Sequence, residues 1–372
     1  MKVTIIEKGY AMEELLRSYF LELGFYVARG VPFVFDGFDV TDVDLWLYER
    51  RSVASCQRAI VDIKNRKTPQ AIERIFWTKG LQGALGLDQA IVATTDRRPS
   101  VTAFGRLHGV RVLDGDFLSR LDRSALSLSA RLSEQEMLSL AGSFPSNQGS
   151  LGWRDRILRA KQLLITDLGF NAVNAWLSDG AFFVEQRLLV STHRPVATRL
   201  FYLIISFIAL GFDFVSQDLA FENPTKKFEA LMNGLQFGSA GERQSGHVMG
   251  LALGLVEAYA PNGRLLAKRV RTSVERELAS SGFSILAEYV SQPGAQSSLF
   301  AVAKDLEAFA YSASFTPPSE LPVRCKSFLG MLLDFWEVDR RSFFDLPDAG
   351  VSGSNADQAS QQELPLSPGS KK

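Results

Sequence analysis

Between residues 57 and 113 the hydrophobic period switches back and forth, and this constrains the fold more than any other feature of the chain. Gln57 to Lys64 reads as a strand. Thr68-Pro69 is a helix start, a capping residue followed by proline at the first helical position, for a helix running to about Gly86. Ala90-Ile-Val-Ala-Thr94 is a short buried strand, residues 98–108 a helix, and Val110-Arg-Val-Leu113 another strand, with a last helix from Gly115. Strands that alternate with helices in this way imply a mixed sheet covered by helices on its faces.

The residues before this stretch complete the pattern. Met12, Leu15, Leu16, Tyr19, Phe20 and Leu23 recur at helical spacing, and Gly24 ends that helix. Phe25-Tyr-Val-Ala28 reads as a strand, and residues 31–40 as turn residues mixed with aromatics. In 42–48 the side chains alternate: Val43, Leu45 and Leu47 point one way, Asp42, Asp44 and Trp46 the other. The predicted order is α-β-β-β-α-β-α-β, an α/β class.

Length and composition set the frame. A chain of 372 residues suggests two domains. The expected division is an α/β domain over 1–125, a helix and linker over 126–152, a mainly helical domain over 153–345, and a disordered tail over 346–372. The linker centres on GSFPSNQGS at 142–150, and the tail is rich in Ser, Gln, Asp and Gly. Helical patterns stand out at 246–259, 264–280, 298–313 and 327–338, with short strands expected near Ala181–Val184 and Ser284–Val290. The most apolar run, 200–212, spans 13 residues between Arg199 and Asp213. A membrane span needs about 20, so a buried helix is expected and no membrane contact. The N-terminal residues do not read as a signal peptide, and the expected location is cytoplasmic.

Formal net charge is zero, so no global field draws the protein to nucleic acid and any such surface must be local. Cys56 and Cys325 form no disulfide framework or zinc pattern, and His108, His193 and His247 do not cluster. Any bound metal is expected to be a hard cation held by carboxylates.

One constellation meets that condition. Asp62 and Lys64 are two apart on a strand and share a face. Asp44 lies on the preceding strand, and antiparallel neighbours place cross-strand side chains about 5 Å apart. Two carboxylates that close repel unless a positive charge lies between them. Mg²⁺ suits the position, with the Ile63 carbonyl as a further ligand and Glu13 reaching in from the first helix. A lysine beside metal-bound water positions it for attack on phosphorus.

Residues 5–120 resemble the PD-(D/E)xK, restriction-endonuclease-like nuclease superfamily, nearest in pattern to Mrr-type restriction enzymes and Holliday-junction resolvases. The resemblance rests on Lys8-Gly-Tyr-Ala-Met-Glu13 before the amphipathic helix, Val43-Asp44-Leu45, and Val61-Asp62-Ile63-Lys64, with Asp where resolvases more often have Glu. No proline precedes Asp44. The resemblance implies a Mg²⁺- or Mn²⁺-dependent endonuclease acting on DNA, in genome defence or DNA processing, working as a homodimer or in a larger complex with other proteins. Glu13, Asp44 and Asp62 with the Ile63 carbonyl would hold the metal, and Lys64 would activate the water. Lys79 and Gln82 fall on the following helix, where such enzymes often keep a Gln or Lys facing the site.

Several further side chains lie near this motif. Asn65, Arg66, Lys67, Arg74 and Lys79 follow closely enough to contact phosphates, or else form a solvated helix face. Trp77 is expected in the core beside Ile72, Ile75 and Phe76. Arg264, Lys268, Arg269, Arg271 and Arg276 make a basic helix in the second domain, diluted by Glu275 and Glu277. The alternative for the whole protein is a nuclease fold retained without activity, as a nucleic-acid-binding or assembly module of a multi-protein complex.

Overall fold

The computed structural model describes residues 8–65, 70–121, 130–144 and 151–347. The expected helix start at Thr68-Pro69, Lys67, the 145–150 part of the linker and the tail from 348 onward lie outside the described residues. The N-terminal part runs α1 (Lys8–Glu22), β1 (Tyr26–Phe35), β2 (Phe38–Ser52), β3 (Ser55–Lys64), α2 (Ala71–Ala84), β4 (Gln89–Thr94), α3 (Pro99–Leu107), β5 (Val110–Leu113) and α4 (Gly115–Arg120). The strands form one mixed sheet in the order β1-β2-β3-β4-β5. β1, β2 and β3 pair antiparallel, and β3, β4 and β5 parallel. The parallel pairs are those joined by a helical crossover, as the connection length requires.

The first hairpin is longer than expected. β1 continues to Phe35 rather than stopping at Ala28, and Pro32 does not interrupt it. The turn is the pair Asp36-Gly37, with φ of 47° and 81°. Two consecutive left-handed residues match the right-handed twist of the strands they join, which explains why an Asp-Gly pair stands there.

A mainly helical region follows: α5 (Glu134–Gly142), α6 (Trp153–Thr166), α7 (Phe170–Leu189), α8 (Arg194–Ser216), α9 (Pro224–Phe237), α10 (Gly241–Tyr259), α11 (Gly263–Ser280), α12 (Phe283–Ser291), α13 (Pro293–Tyr311), α14 (Val323–Phe335) and α15 (Arg340–Phe344). The short strands expected near 181–184 and 284–290 are instead parts of α7 and α12. Both are apolar runs of strand-like composition embedded in longer helical periods, and packing on α8, α9 and α13 decides them.

Three layers of side chains hold the sheet. On one face Val27, Leu45, Leu47, Ala59, Val61 and Ile63 pack with Met12, Leu15, Leu16 and Phe20 of α1. On the other face α2 and α3 cover the parallel half through Ile75, Val92, Val101 and Val110. The antiparallel half of that face is buried under the helical region: Tyr26, Trp46, Tyr48 and Ile60 belong to the same cluster as Leu200, Phe207, Leu299 and Phe328. One hydrophobic core therefore runs from the sheet into the helices.

This corrects the reading of β2 as a strand with a polar face. Trp46 and Tyr48 are fully buried in the core that the sheet shares with the helical region; Tyr48 meets Phe300 of α13 and Asp213 of α8. Among the described residues, Ser191–Ser216 is the one helical stretch long and apolar enough to cross a membrane, and 89% of its apolar window is buried inside the protein. It is a core helix. Asp213, which ends the apolar run, is completely buried; it pairs with Arg50 and accepts from the Tyr48 hydroxyl at 2.7 Å. Tyr26 and Ser206 hydrogen-bond at 2.7 Å, giving a second polar link between sheet and α8. Buried polar groups need such partners to avoid a desolvation cost.

Candidate functional site

The β2–β3 pairing runs from Ser52↔Ser55 to Leu45↔Val61 and stops one residue short of Asp44 and Asp62. There the side chain of Asp44 takes over a backbone donor: its Oδ2 accepts from the Ile63 N–H at 2.6 Å. A strand residue's N–H and C=O point the same way, so the Ile63 carbonyl lies on the Asp44 side. Asp62 and Lys64 share a face by the strand period, and Lys64 Nζ stands 3.5 Å from Asp62 Oδ1. Asp42, Asp44 and Asp62 line a narrow pocket together with Trp77, Thr78 and Leu81 of α2.

Asp44 is the electrostatically unusual residue. Burial pushes its carboxyl up to about 6, and the charges of Asp62 and Glu13 push the same way. The Ile63 N–H and Lys64 oppose the rise without cancelling it. A carboxylate so placed gains from an added positive charge.

Asp62 already has cationic company. Arg74 grips it in a two-pronged pair, Nε donating to Oδ2 at 2.8 Å and Nη2 to Oδ1. Neither a phosphate contact nor a solvated helix face describes Arg74 in this structure: three residues into α2, it is spent on the acid of β3. Its guanidinium lies 5.6 Å from the centre of the Trp77 ring. Trp77 is 45% exposed and stands at the pocket rather than in the core where the sequence put it, while Ile75 of the same stripe is buried.

Lys79 and Gln82 are not part of this arrangement. Lys79 Nζ donates to Gln82 Oε1 at 2.8 Å, and Gln82 Nε2 donates to the Leu87 carbonyl just past α2 at 2.8 Å. α2 descends against β3, so its C-terminal end sits beside Arg58 and Asp88, whose backbones bond at 2.9 Å. From Arg74 to Gln82 the helix travels about 12 Å. Both side chains therefore serve the opposite end of the layer.

Glu13 is brought near the pocket but is not free. Its Oε2 accepts from Arg29 Nε at 2.8 Å and Nη2 at 2.6 Å. Glu14 turns instead into the interior, to Arg29 (2.6 Å) and Arg17 (3.5 Å). These pairs open a buried ionic network that the sequence did not disclose. Arg17 pairs with Glu307 of α13 at 2.8 Å, and Arg131 with the same carboxylate at 2.6 Å. Lys161 of α6 pairs with Glu134 of α5 and donates to the Arg29 carbonyl at 2.6 Å. Tyr311 donates to Glu134 at 2.7 Å. Acid and base partners here lie up to 290 residues apart, so no local spacing signals them.

The donor set fits a hard divalent cation in kind. Asp44 and Asp62 offer carboxylate oxygens from adjacent strands and Ile63 a carbonyl, and Mg²⁺ is commonly held by one or two carboxylates with substrate phosphates completing its shell. Among the described residues no three His, Cys, Asp or Glu side chains converge as a metal-binding group. Glu13 is held back by Arg29, and Arg74 competes with any cation for Asp62. Comparison with family models, with curated proteins and with solved structures finds no match to this chain.

Proposed function

We propose that residues 1–125 form a restriction-endonuclease-like domain that hydrolyses phosphodiester bonds in DNA with Mg²⁺ or Mn²⁺. The observation that carries this reading is Asp44. It is a partly buried carboxyl, raised to about 6, across an opened strand pair from Asp62 and on the face of Lys64. Apart from its hydrogen bond to the Ile63 N–H, the charge of this group is a cost to the fold that a bound cation would offset. A bound divalent cation supplies charge for the phosphate oxygens and acidifies a water.

The chain's own groups divide the remaining work. Asp44 and Asp62 with the Ile63 carbonyl hold the cation. Lys64 would orient the attacking water, whose proton leaves to solvent, and would counter the negative charge that grows on the phosphate. Arg74 neutralises Asp62 in the free protein and would be released to a substrate phosphate if Asp62 held the cation. Trp77, half exposed beside it, offers a ring for a base to stack on. Genome defence or DNA processing in the cytoplasm is the setting this reading implies.

A second reading has its own observation. Arg74 and Lys64 satisfy Asp62 without metal, which favours a domain retained for binding or assembly. One assay separates the two. The purified protein is incubated with linear, supercoiled, branched and single-stranded DNA in Mg²⁺, Mn²⁺ or EDTA. Cutting that needs metal and falls about 10²–10⁴-fold in Lys64→Ala supports the nuclease. Cutting that survives in both Lys64→Ala and Asp62→Ala, or no metal-dependent cutting of any substrate, sinks it.

A further inference from the structure

The hairpin α10–α11 is a surface without a cover. Leu253 is the one buried residue of α10, and Gly263 and Ala267 are those of α11. α11 rests mainly on α10, with Gln236 of α9 reaching the Leu278 carbonyl at 3.3 Å. Large apolar side chains stay in water: Val248 60%, Leu251 60%, Leu255 62% and Tyr259 85% exposed on α10, and Leu265 53%, Leu266 44% and Val270 37% on α11.

These are not scattered. Val248, Leu251, Leu255 and Tyr259 follow steps of three, four and four residues and make one stripe, about 16 Å long. Contiguous exposed apolar stripes mark interaction sites in soluble proteins. The four side chains of the stripe present on the order of 500 Å² of surface, the larger part of the roughly 800 Å² that each partner buries in a standard interface.

Charge is distributed unevenly along the hairpin. Toward its tip Arg264, Lys268 and Arg269 outnumber the single acid Glu257, and Arg271 stands midway along α11. At its base Glu242, Glu275 and Glu277 outnumber Arg243 and Arg276. An identical hairpin laid antiparallel would set basic tip against acidic base twice over, about a two-fold axis, and stripe against stripe. A nucleic acid would use the basic tip but leave the apolar stripe wet.

We propose that α10 and α11 are the dimerisation surface of this protein, two hairpins from two copies packing antiparallel into a four-helix bundle. The inference does not depend on the nuclease reading. Sedimentation or light scattering on the full chain tests it over about 1 to 100 µM. The wild type should be dimeric, and Leu251→Asp/Leu255→Asp should weaken the dimer by at least about 100-fold while its circular dichroism stays that of a folded helical protein. A monomeric wild type throughout that range overturns the proposal, as does a double variant that stays dimeric. The antiparallel register has its own check. Lys268→Glu/Arg269→Glu and Glu275→Lys/Glu277→Lys should each dimerise poorly and form a heterodimer when mixed. No recovery on mixing rules that register out.

Discussion

Replacing Asp44 by Asn should stop metal-dependent cleavage and at the same time make the folded protein more stable above pH 6. The carboxyl ionises near pH 4 in the unfolded chain and near 6 in the folded one, chiefly because burial disfavours its charge. Between those values the native state keeps a proton that the unfolded chain has released. Stability therefore falls as pH rises from about 4 to about 6, and the full cost is present above that window.

Asn keeps an acceptor for the Ile63 N–H and carries no charge, so Asp44→Asn should gain up to about 3 kcal/mol at pH 8 and nothing at pH 3.5. Denaturant titrations at the two pH values measure this. A variant no more stable than wild type at pH 8 would show that the Asp44 carboxylate is not under electrostatic strain. Metal gives an independent readout: Mg²⁺ or Mn²⁺ should raise the melting temperature of the wild type and leave that of Asp44→Asn unchanged. Equal shifts in both proteins would place the cation elsewhere.

Lys161→Met should destabilise the protein by about 3–5 kcal/mol, the usual cost of removing one partner of a buried ion pair. Lys161 and Glu134 are 1% and 3% exposed. Burial pushes Glu134 upward, but Lys161 and then Arg17 outweigh it and hold the carboxyl below its ordinary value. Methionine would leave that carboxylate with the Tyr311 hydroxyl and a more distant Arg17, and would strip the Arg29 carbonyl of its donor. Because Arg29 also fixes Glu13, the loss should spread toward the candidate site.

The double variant Lys161→Met/Glu134→Leu discriminates between causes. With no charge stranded, it should recover more than half of the lost stability, since a buried pair is often matched by apolar residues of similar size. If the single change costs less than about 1 kcal/mol, the network is not holding α5 and α6 against β1. If the double change recovers nothing, packing rather than charge is what Lys161 provides.

Much of the α/β part was readable because its signals are local. The period changes from 57 to 113, the glycine after α1 and the two-residue separation of Asp62 and Lys64 each reside within a few consecutive residues. The errors also share one cause. Residues 31–35, with Pro32, looked like turn, yet β1 runs through them because β2 pairs with it as far as the Asp36-Gly37 turn. The runs at 181–184 and 284–290 looked like strands until their neighbours made them helix. Trp46 was read onto a polar face and Trp77 into the core. Each went the other way, because the helical region covers that face of β2 while α2 presents Trp77 to the pocket.

The sequence by itself determined the order of elements in the α/β part, the strand that ends at Asp62 and Lys64, and the chemical types available there. Chain period and residue chemistry act over a few residues, so they need no partner to be legible. Only the tertiary structure decided who meets whom: Arg74 on Asp62, Arg29 on Glu13, Lys79 and Gln82 at the far end of α2, and Asp44 raised by burial beside two other acids. Those outcomes depend on which distant helices exclude water from a given spot. Desolvation and charge pairing are properties of the packed molecule, and the same residues in an open chain would show neither.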